Sequence, residues 1–270
     1  MAEKISFTSV NLRDLIIAHT DELFLRNAKP AHKKLNKKGL VGREVDWKRV
    51  RVDELPVKHN LSRVNRAKPR TSTLFQTTFT NRTQGRQKYS FSTQRTTRSC
   101  CEVALERSVT RGSEFSLGLA LPDEIVSANA GFKREETIAD SATQVIEHEL
   151  TWSVDSEVDV EGRRKATARV VITEDEHDGT FEAVTLMKGK VRVIYTNLKD
   201  NNSLLTSFET KLEDIVRNAV SDGRVNAQVC RVNDGFVECV MSGKYAFNFG
   251  VRQDTEIEEH LLTDDSASDN

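Results

Sequence analysis

Two periodicities divide this chain. Leu12, Leu15, Ile16, His19 and Leu23 recur at spacings of three and four, the repeat of one helical face. Asn11 stands where a cap would accept the first free amides, and Asp14 suits the positive end of the helix dipole. Farther on, Thr206-Ser207-Phe208-Glu209 reads as a capping box opening a helix over 207–221. Phe208, Leu212, Ile215, Val216 and Ala219 share one face of it, and Asp222-Gly223 supplies the stop. Nearly everything else alternates with period two. Thr73 to Thr80, Tyr89 to Thr93, Leu150 to Val154, Arg169 to Thr173 and Lys190 to Tyr195 are β-branched, aromatic and alternating, as half-buried antiparallel strands are. From Ser72 to Thr110 only Gly85 interrupts the run, so these strands should extend well past the usual five or six residues or so.

The pattern therefore predicts a mainly β chain, an elongated module of long twisted antiparallel strands. An α-containing head precedes it, and one further helix lies near the C-terminus. The expected divisions are a basic head over 1–71, the β module over 72–260, and an acidic tail over 261–270, expected to be disordered.

One stretch alternates with unusual regularity. Over 114–132, a turn centred on Pro122-Asp123 sets Leu119 opposite Val126, Leu117 opposite Ala128 and Phe115 opposite Ala130. Those six side chains share one side of the ribbon. Glu114, Ser116, Gly118, Ala120, Ser127, Asn129 and Gly131 share the other, where Ile125 alone breaks the pattern, and Leu121, Pro122, Asp123 and Glu124 form the tip. An apolar face backed by a small, polar one suits a membrane β-barrel, with lipid outside and water inside. A hairpin covering one side of a sandwich needs the same alternation, so period alone leaves both open.

A second hairpin is sharper. In Cys230 to Cys239, Asp234-Gly235 is a favoured type I′ pair, which sets Asn233 opposite Phe236, Val232 opposite Val237, Arg231 opposite Glu238 and Cys230 opposite Cys239. The two cysteines then occupy a non-hydrogen-bonded pair, with Cα atoms about 4.5 Å apart. A disulfide is expected in an oxidising compartment and two apposed thiols in a reducing one.

Charge adds a polarity. The 270 residues carry 40 Lys and Arg against 41 Asp and Glu, for a net charge of −1, so no global field attracts nucleic acid. From Arg26 to Arg70, however, the chain is strongly basic, and after Asp254 it turns acidic. Trp47 alone among aromatics punctuates the basic run, which makes a base-stacking platform a poor fit; no nucleic-acid partner is expected. The plain reading of such a run is a solvated face neutralised by acids elsewhere. No apolar run approaches the roughly 20 residues of a membrane-spanning helix. Met1 to Ser6 lacks the charged and greasy regions of a signal peptide, so either a cytoplasmic protein or a secreted mature form is expected. Under the secreted reading Asn60, Asn81 and Asn201 head glycosylation sequons. No nucleophile elbow, phosphate loop or paired-histidine zinc motif occurs, and the six histidines are scattered; no enzyme, cofactor or metal is expected.

The order of several weak motifs resembles the aerolysin-like β-pore-forming family, including the epsilon-toxin/mosquitocidal-toxin group and natterin-like proteins. The matching residues are Tyr89 to Arg98, Phe115 to Val126, Glu135-Glu136-Thr137, Glu149-Leu150-Thr151-Trp152, Gly162 to Ala168, Phe181 to Val184 and Ser242 to Val251, spread over Ser72 to Ile257. The resemblance implies monomers that gather on a membrane, assemble into a homo-oligomeric ring and unfurl a tongue into a shared barrel. Phe115, Leu117, Leu119, Val126, Ala128 and Ala130 would then face lipid, and Glu114, Ser116, Gly118, Ser127 and Asn129 the lumen. It names no lipid or glycan receptor. Asp123 and Glu124 depart from the more apolar tips of many relatives, and no lectin repeat is visible. The alternative is a β-rich lectin-like or membrane-cargo binding module whose tongue never leaves the sheet.

Overall fold

The computed structural model describes residues 7–64, 70–112, 116–139 and 141–262. The chain begins with β1 (Thr8–Asn11), α1 (Leu12–Asn27), α2 (Pro30–Lys37), β2 (Val41–Asp46), β3 (Val50–Glu54), β4 (Lys58–Arg63) and β5 (Arg70–Asn81). Next come β6 (Gln87–Thr110), β7 (Ser116–Ala120), α3 (Asp123–Ser127), β8 (Glu135–Ala139) and β9 (Thr143–Val160). The chain closes with β10 (Arg164–Asn197), β11 (Ser203–Lys211), α4 (Leu212–Ser221), β12 (Cys230–Asn233) and β13 (Phe236–Leu261).

The expected long strands are present, and one is the spine. β10 has 34 residues, and at about 3.3 Å per residue a strand of that length runs roughly 110 Å. Along one edge the N-terminal chain climbs down it in four antiparallel pieces. Asn197 to Arg192 pair with β2, Gly189 to Thr185 with β3, Glu182 to His177 with β4, and Glu174 to Arg164 with β5. Along the other edge lie β13 and then β11. The boundary expected at 71/72 thus falls inside β5, and the preceding strands belong to the same ladder as the rest.

This pairing accounts for the strand cations of the basic run. Arg43 meets Asp21 at 2.8 Å, Arg49 meets Glu209 at 2.7 Å, Arg63 meets Asp175 at 2.6 Å, and Arg70 meets Glu174 at 3.1 Å. The strand cations therefore offset the acidic middle of β10 and its neighbours.

Three cores follow one another along the spine. At the head, α1 and α4 cover Val191, Val193 and Tyr195 of β10 together with β12 and the start of β13. At the far end the β6–β9 ribbon faces the β5–β10–β13 sheet, where Phe91, Val154, Val158 and Val160 meet Ala166, Ala168 and Val170. The ribbon can separate there because β6 pairs with β13 only between Cys100 and Arg107. Between the two lies a middle core, roofed by the segment 116–139.

Local expectations fared unevenly. Asn11 caps α1, its Oδ1 accepting from the Arg13 and Asp14 amides. The buried face is Leu12, Ile16, Thr20 and Phe24 rather than one that includes His19 and Leu23. The 207–221 helix is corrected: residues through Lys211 belong to β11, and α4 starts at Leu212 with no side-chain cap. Pairing with β10 from Lys190 to Asn197 outweighed the local capping box. Asn81 is fully buried, its amide donating to the Gly85 and Val160 carbonyls at 2.7 and 2.9 Å, so its sequon is closed in the folded protein. Residues 263–270 of the expected tail lie outside the described residues, while Leu261 ends β13.

The cysteine hairpin has the expected register at every rung. Asp234 and Gly235 hold φ of 48° and 75°, the left-handed pair of a type I′ turn. Arg231 Nε donates to Glu238 Oε2 at 3.1 Å across it. Cys230 and Cys239 are buried free thiols with sulfurs 3.3 Å apart. The hydrogen bond to Cys230, with burial behind it, pushes the Cys239 thiol up, and burial pushes Cys101 up to about 12. Both should resist alkylation at neutral pH, because thiolate is the reacting form. Half-buried Cys100 should label first, and a small disulfide oxidant should link Cys230 to Cys239 without unfolding. Mass mapping of the native protein checks both; early labelling of Cys239 would contradict the packing.

Candidate membrane-insertion segment

The segment between Thr110 and Thr143 joins two neighbouring long strands, β6 and β9, which pair without a break from Gln87–Val160 to Ala104–Thr143. Beyond Ala104 the chain leaves this ladder and folds back on the body. Its stem is a short ladder of its own, β7 on β8, with Ser116 opposite Ala139, Leu117 opposite Ile138, Gly118 opposite Thr137 and Leu119 opposite Glu136.

The expected hairpin centred on Pro122-Asp123 is corrected here. Leu119 does not face Val126, nor Leu117 Ala128. Val126 and Ser127 end α3, and Ala128, Asn129 and Ala130 follow it in no strand. Proline ahead of two acids fits the start of a helix: Pro122 is the N-cap, and Asp123 and Glu124 occupy the dipole-favoured first turn. Asn129 and Gly131, with φ of 55° and 85°, then turn the chain back. A Cβ on Gly131 would also approach the His148 Cβ to 3.1 Å, so both backbone and space favour glycine there. Glu114 and Phe115 lie outside the described residues.

The tongue's apolar side is spent on the body. Leu119, Leu121, Ile125, Ala130, Phe132 and Ile138 are buried against Cys101, Val103 and Leu105 of β6, Phe181 of β10, and Tyr245, Phe247 and Phe249 of β13. Phe132 meets Phe247 edge-on at 5.6 Å. Asp123, Glu124, Ser127, Asn129 and Gly118 are exposed. Of the expected lipid-facing set, Leu119 and Ala130 are in this core, and Val126 and Ala128 pack at its margin.

A polar clasp joins tongue to body. Glu136 is buried, and its Oε1 accepts the Lys133 amide at 2.9 Å and lies 2.8 Å from His148 Nε2 on β9. Phe132 closes over the His148 ring edge-on at 5.4 Å. Nothing in the sequence joins Glu136 to His148, since 12 residues separate them and no motif links them.

The tip carries a second titratable neighbour. His59 of β4 sits 3.4 Å from the Tyr245 hydroxyl, and burial lowers its pKa against the raising pull of Glu124 and Asp123. A depressed histidine stabilises the fold fully above its ordinary value of 6.5, and that contribution is lost as pH falls through the folded value. Protease protection of the tongue should therefore weaken below about pH 6.5, and His59→Gln should flatten that slope. An unchanged slope in the variant would assign the effect to another group.

No protein-family model and no curated protein sequence matches the chain. Among solved structures, a non-toxic crystal protein from Bacillus thuringiensis is similar at a TM-score of 0.57 and 12% identity, over 95% of this chain and 99% of that one. The structure of the Cry23Aa1–Cry37Aa1 binary complex contains a chain similar at a TM-score of 0.52 and 15% identity, over 97% of this chain and 94% of that one. At such identities the shared property is the fold, from one end of the chain to the other. The architecture is mainly β and built along very long antiparallel strands, as the alternating pattern predicts.

Proposed function

We propose that this chain is a pore-forming protein that binds a membrane, assembles with copies of itself and inserts a β-barrel built from the tongue and its flanking strands β6 and β9. One observation carries the reading. Continued past Ala104–Thr143, the β6–β9 register would set Phe115 opposite Phe132, Leu117 opposite Ala130, Leu119 opposite Ala128 and Leu121 opposite Val126. Asp123-Glu124 becomes the turn, one residue on from the sequence expectation, and the faces keep their parity. The apolar side chains other than Ile125 would then share one side of the ribbon, with Ser116, Gly118, Ile125, Ser127 and Asn129 on the other. In the folded-back tongue Leu119 instead pairs with Glu136, eight residues beyond Ala128, an even offset that presents the same side to the body.

The energetics agree with a latent insertion device. Fully exposing Leu119, Leu121, Ile125, Phe132 and Ile138 to water would cost on the order of 10 kcal/mol, at about 1.5–3 kcal/mol each. Lipid would return most of that, provided that a closed barrel satisfies the backbone. The outer face of the β6–β9 ribbon, with Ser90, Ser92, Gln94 and Thr96 against Glu157, Asp155, Ser153 and Thr151, suits an aqueous lumen.

Dye release from vesicles tests the faces. Ala128→Arg would place a cation at mid-membrane on the lipid side, costing about 2–4 kcal/mol per subunit. Leakage should fall at least about thirty-fold. Ser127→Arg, one residue away on the lumen side, should leak nearly as the parent does, with both variants melting as folded proteins. Equal loss in the two would refute the face assignment. A tongue that stays protease-protected on membranes that never leak would favour the binding-module alternative.

A further inference from the structure

Within the basic run, one cluster of cations stands apart from the strand arginines. The strand arginines and Lys58 are engaged by carboxylates of the body. Among the described residues, Lys29, Lys33, Lys34, Lys37 and Lys38, on and beside α2, have no carboxylate within 4.0 Å. The helix turns Leu35 toward the head core and Asn36 toward Arg43, whose Nη2 donates to it at 2.6 Å. That leaves Lys34, Lys37 and Lys38 exposed on its outer side.

The end of α2 runs into the tip of the β10–β11 hairpin. Gly39 and Leu40 close the helix, and the Leu198 amide donates to the Leu40 carbonyl at 3.1 Å. Two of the most exposed large apolar side chains of the molecule stand there, Leu198 at 51% and Leu204 at 69%. Gly42, Thr196 and Leu204 are aligned across β2, β10 and β11, and the Leu198 side chain lies over Gly42. The two leucines therefore share one face of the tip. Lys199 is exposed between them, Asp200 being the local acid, held to Ser203 at 2.7 Å. Exposed leucines at the end of a lysine-bearing helix combine the two attractions of a membrane surface: apolar insertion at the headgroup boundary and attraction to anionic lipid.

We propose that this tip, Leu198 and Leu204 with the α2 lysines, docks the protein on an anionic lipid surface. The inference rests on the reading that the chain acts at membranes, and it adds which end arrives first and which lipid charge it meets. Leu198, just past the end of β10, is seventeen residues on from Phe181, the strand's contact with the tongue, roughly 55 Å of extended chain. Docking thus leaves the tongue free to move.

Vesicle co-sedimentation of the full chain, read beside dye release on the same samples, tests this. Binding should be strong on vesicles with about one third phosphatidylserine and weak on pure phosphatidylcholine, and should collapse near 0.5 M salt, where screening reaches only a few Å. Lys34→Glu, Lys37→Glu and Lys38→Glu together should weaken partitioning more than about a hundred-fold. Leu198→Ser with Leu204→Ser should weaken it at least about ten-fold. Reversing Arg82, Arg86 and Lys88 to Glu at the opposite end should change it little. Binding that ignores lipid charge, or that falls as much with the far-end reversals, would overturn the docking site. Tip-dependent binding without dye release would leave docking intact and defeat pore formation. Dye release insensitive to the tip variants would do the reverse.

Discussion

Leu119→Asp should detach the tongue from the body and abolish dye release. Leu119 is fully buried in the middle core, so the variant puts a carboxylate among Cys101, Val103, Phe247 and their neighbours. A buried charge without a partner costs several kcal/mol, and lifting the tongue into water is the cheaper outcome. The head and far-end cores are separate clusters, so the loss should stay local at first. Proteolysis within 116–139 should accelerate by a hundred-fold or so, the factor that corresponds to about 3 kcal/mol. The freed tongue should still fail in lipid, because position 119 would face the hydrocarbon in the proposed extended hairpin. Protection equal to the parent's would contradict the packing; full leakage would contradict the face.

Tyr195→Ala should lower global stability by about 3–5 kcal/mol, among the largest losses available from a single truncation in the head. The ring is wholly buried, stacked on Phe24 at 4.6 Å with 13° between planes, and Phe208 meets its edge at 5.8 Å. Its hydroxyl donates to Asp21 Oδ1 at 2.9 Å and lies 3.0 Å from Thr20 Oγ1. Asp21 in turn holds Arg43, which holds Asn36 of α2. Burial pushes the phenol up, so it remains a neutral donor across the working range. Tyr195→Phe, which keeps the packing and orphans the acceptors, should lose only about 1–3 kcal/mol. Denaturant melts of the two variants separate packing from hydrogen bonding, and equal losses would contradict that division.

Features set by neighbours in sequence were legible. Asp234-Gly235 dictates its own turn and therefore every rung to Cys230–Cys239, and the Ser/Thr-rich alternation from Ser72 foretold long strands. Features set by distant partners were not. Thr206 to Glu209 has the letters of a capping box, yet eight residues of β10 waited to pair with that stretch. Pro122-Asp123-Glu124 serves as a hairpin tip or as a helix start, and burial of Ile125 decides for the helix. The clasp between Glu136 and His148 had no signal at all, since a lone acid and a lone histidine acquire meaning only when folding brings them together. Parity was recoverable where register was not: Leu119 and Ala130 sit on the apolar side in either pairing, because an even slip never turns a strand over.

The central claim, that the tongue must leave the body to open a membrane, can be tested by locking it down. Gly131→Cys with His148→Cys joins tongue to β9 at positions whose Cβ atoms would lie 3.1 Å apart, a few tenths of an ångström inside ordinary disulfide spacing, and the reduced double variant, which carries the same backbone strain at 131 and the same loss of the clasp, is the control. Dye release from anionic vesicles is then measured for the oxidised protein and again after reduction. The account predicts binding in both states, no release while the bond is closed, and release on reduction. Equal release by the oxidised and reduced forms would contradict it.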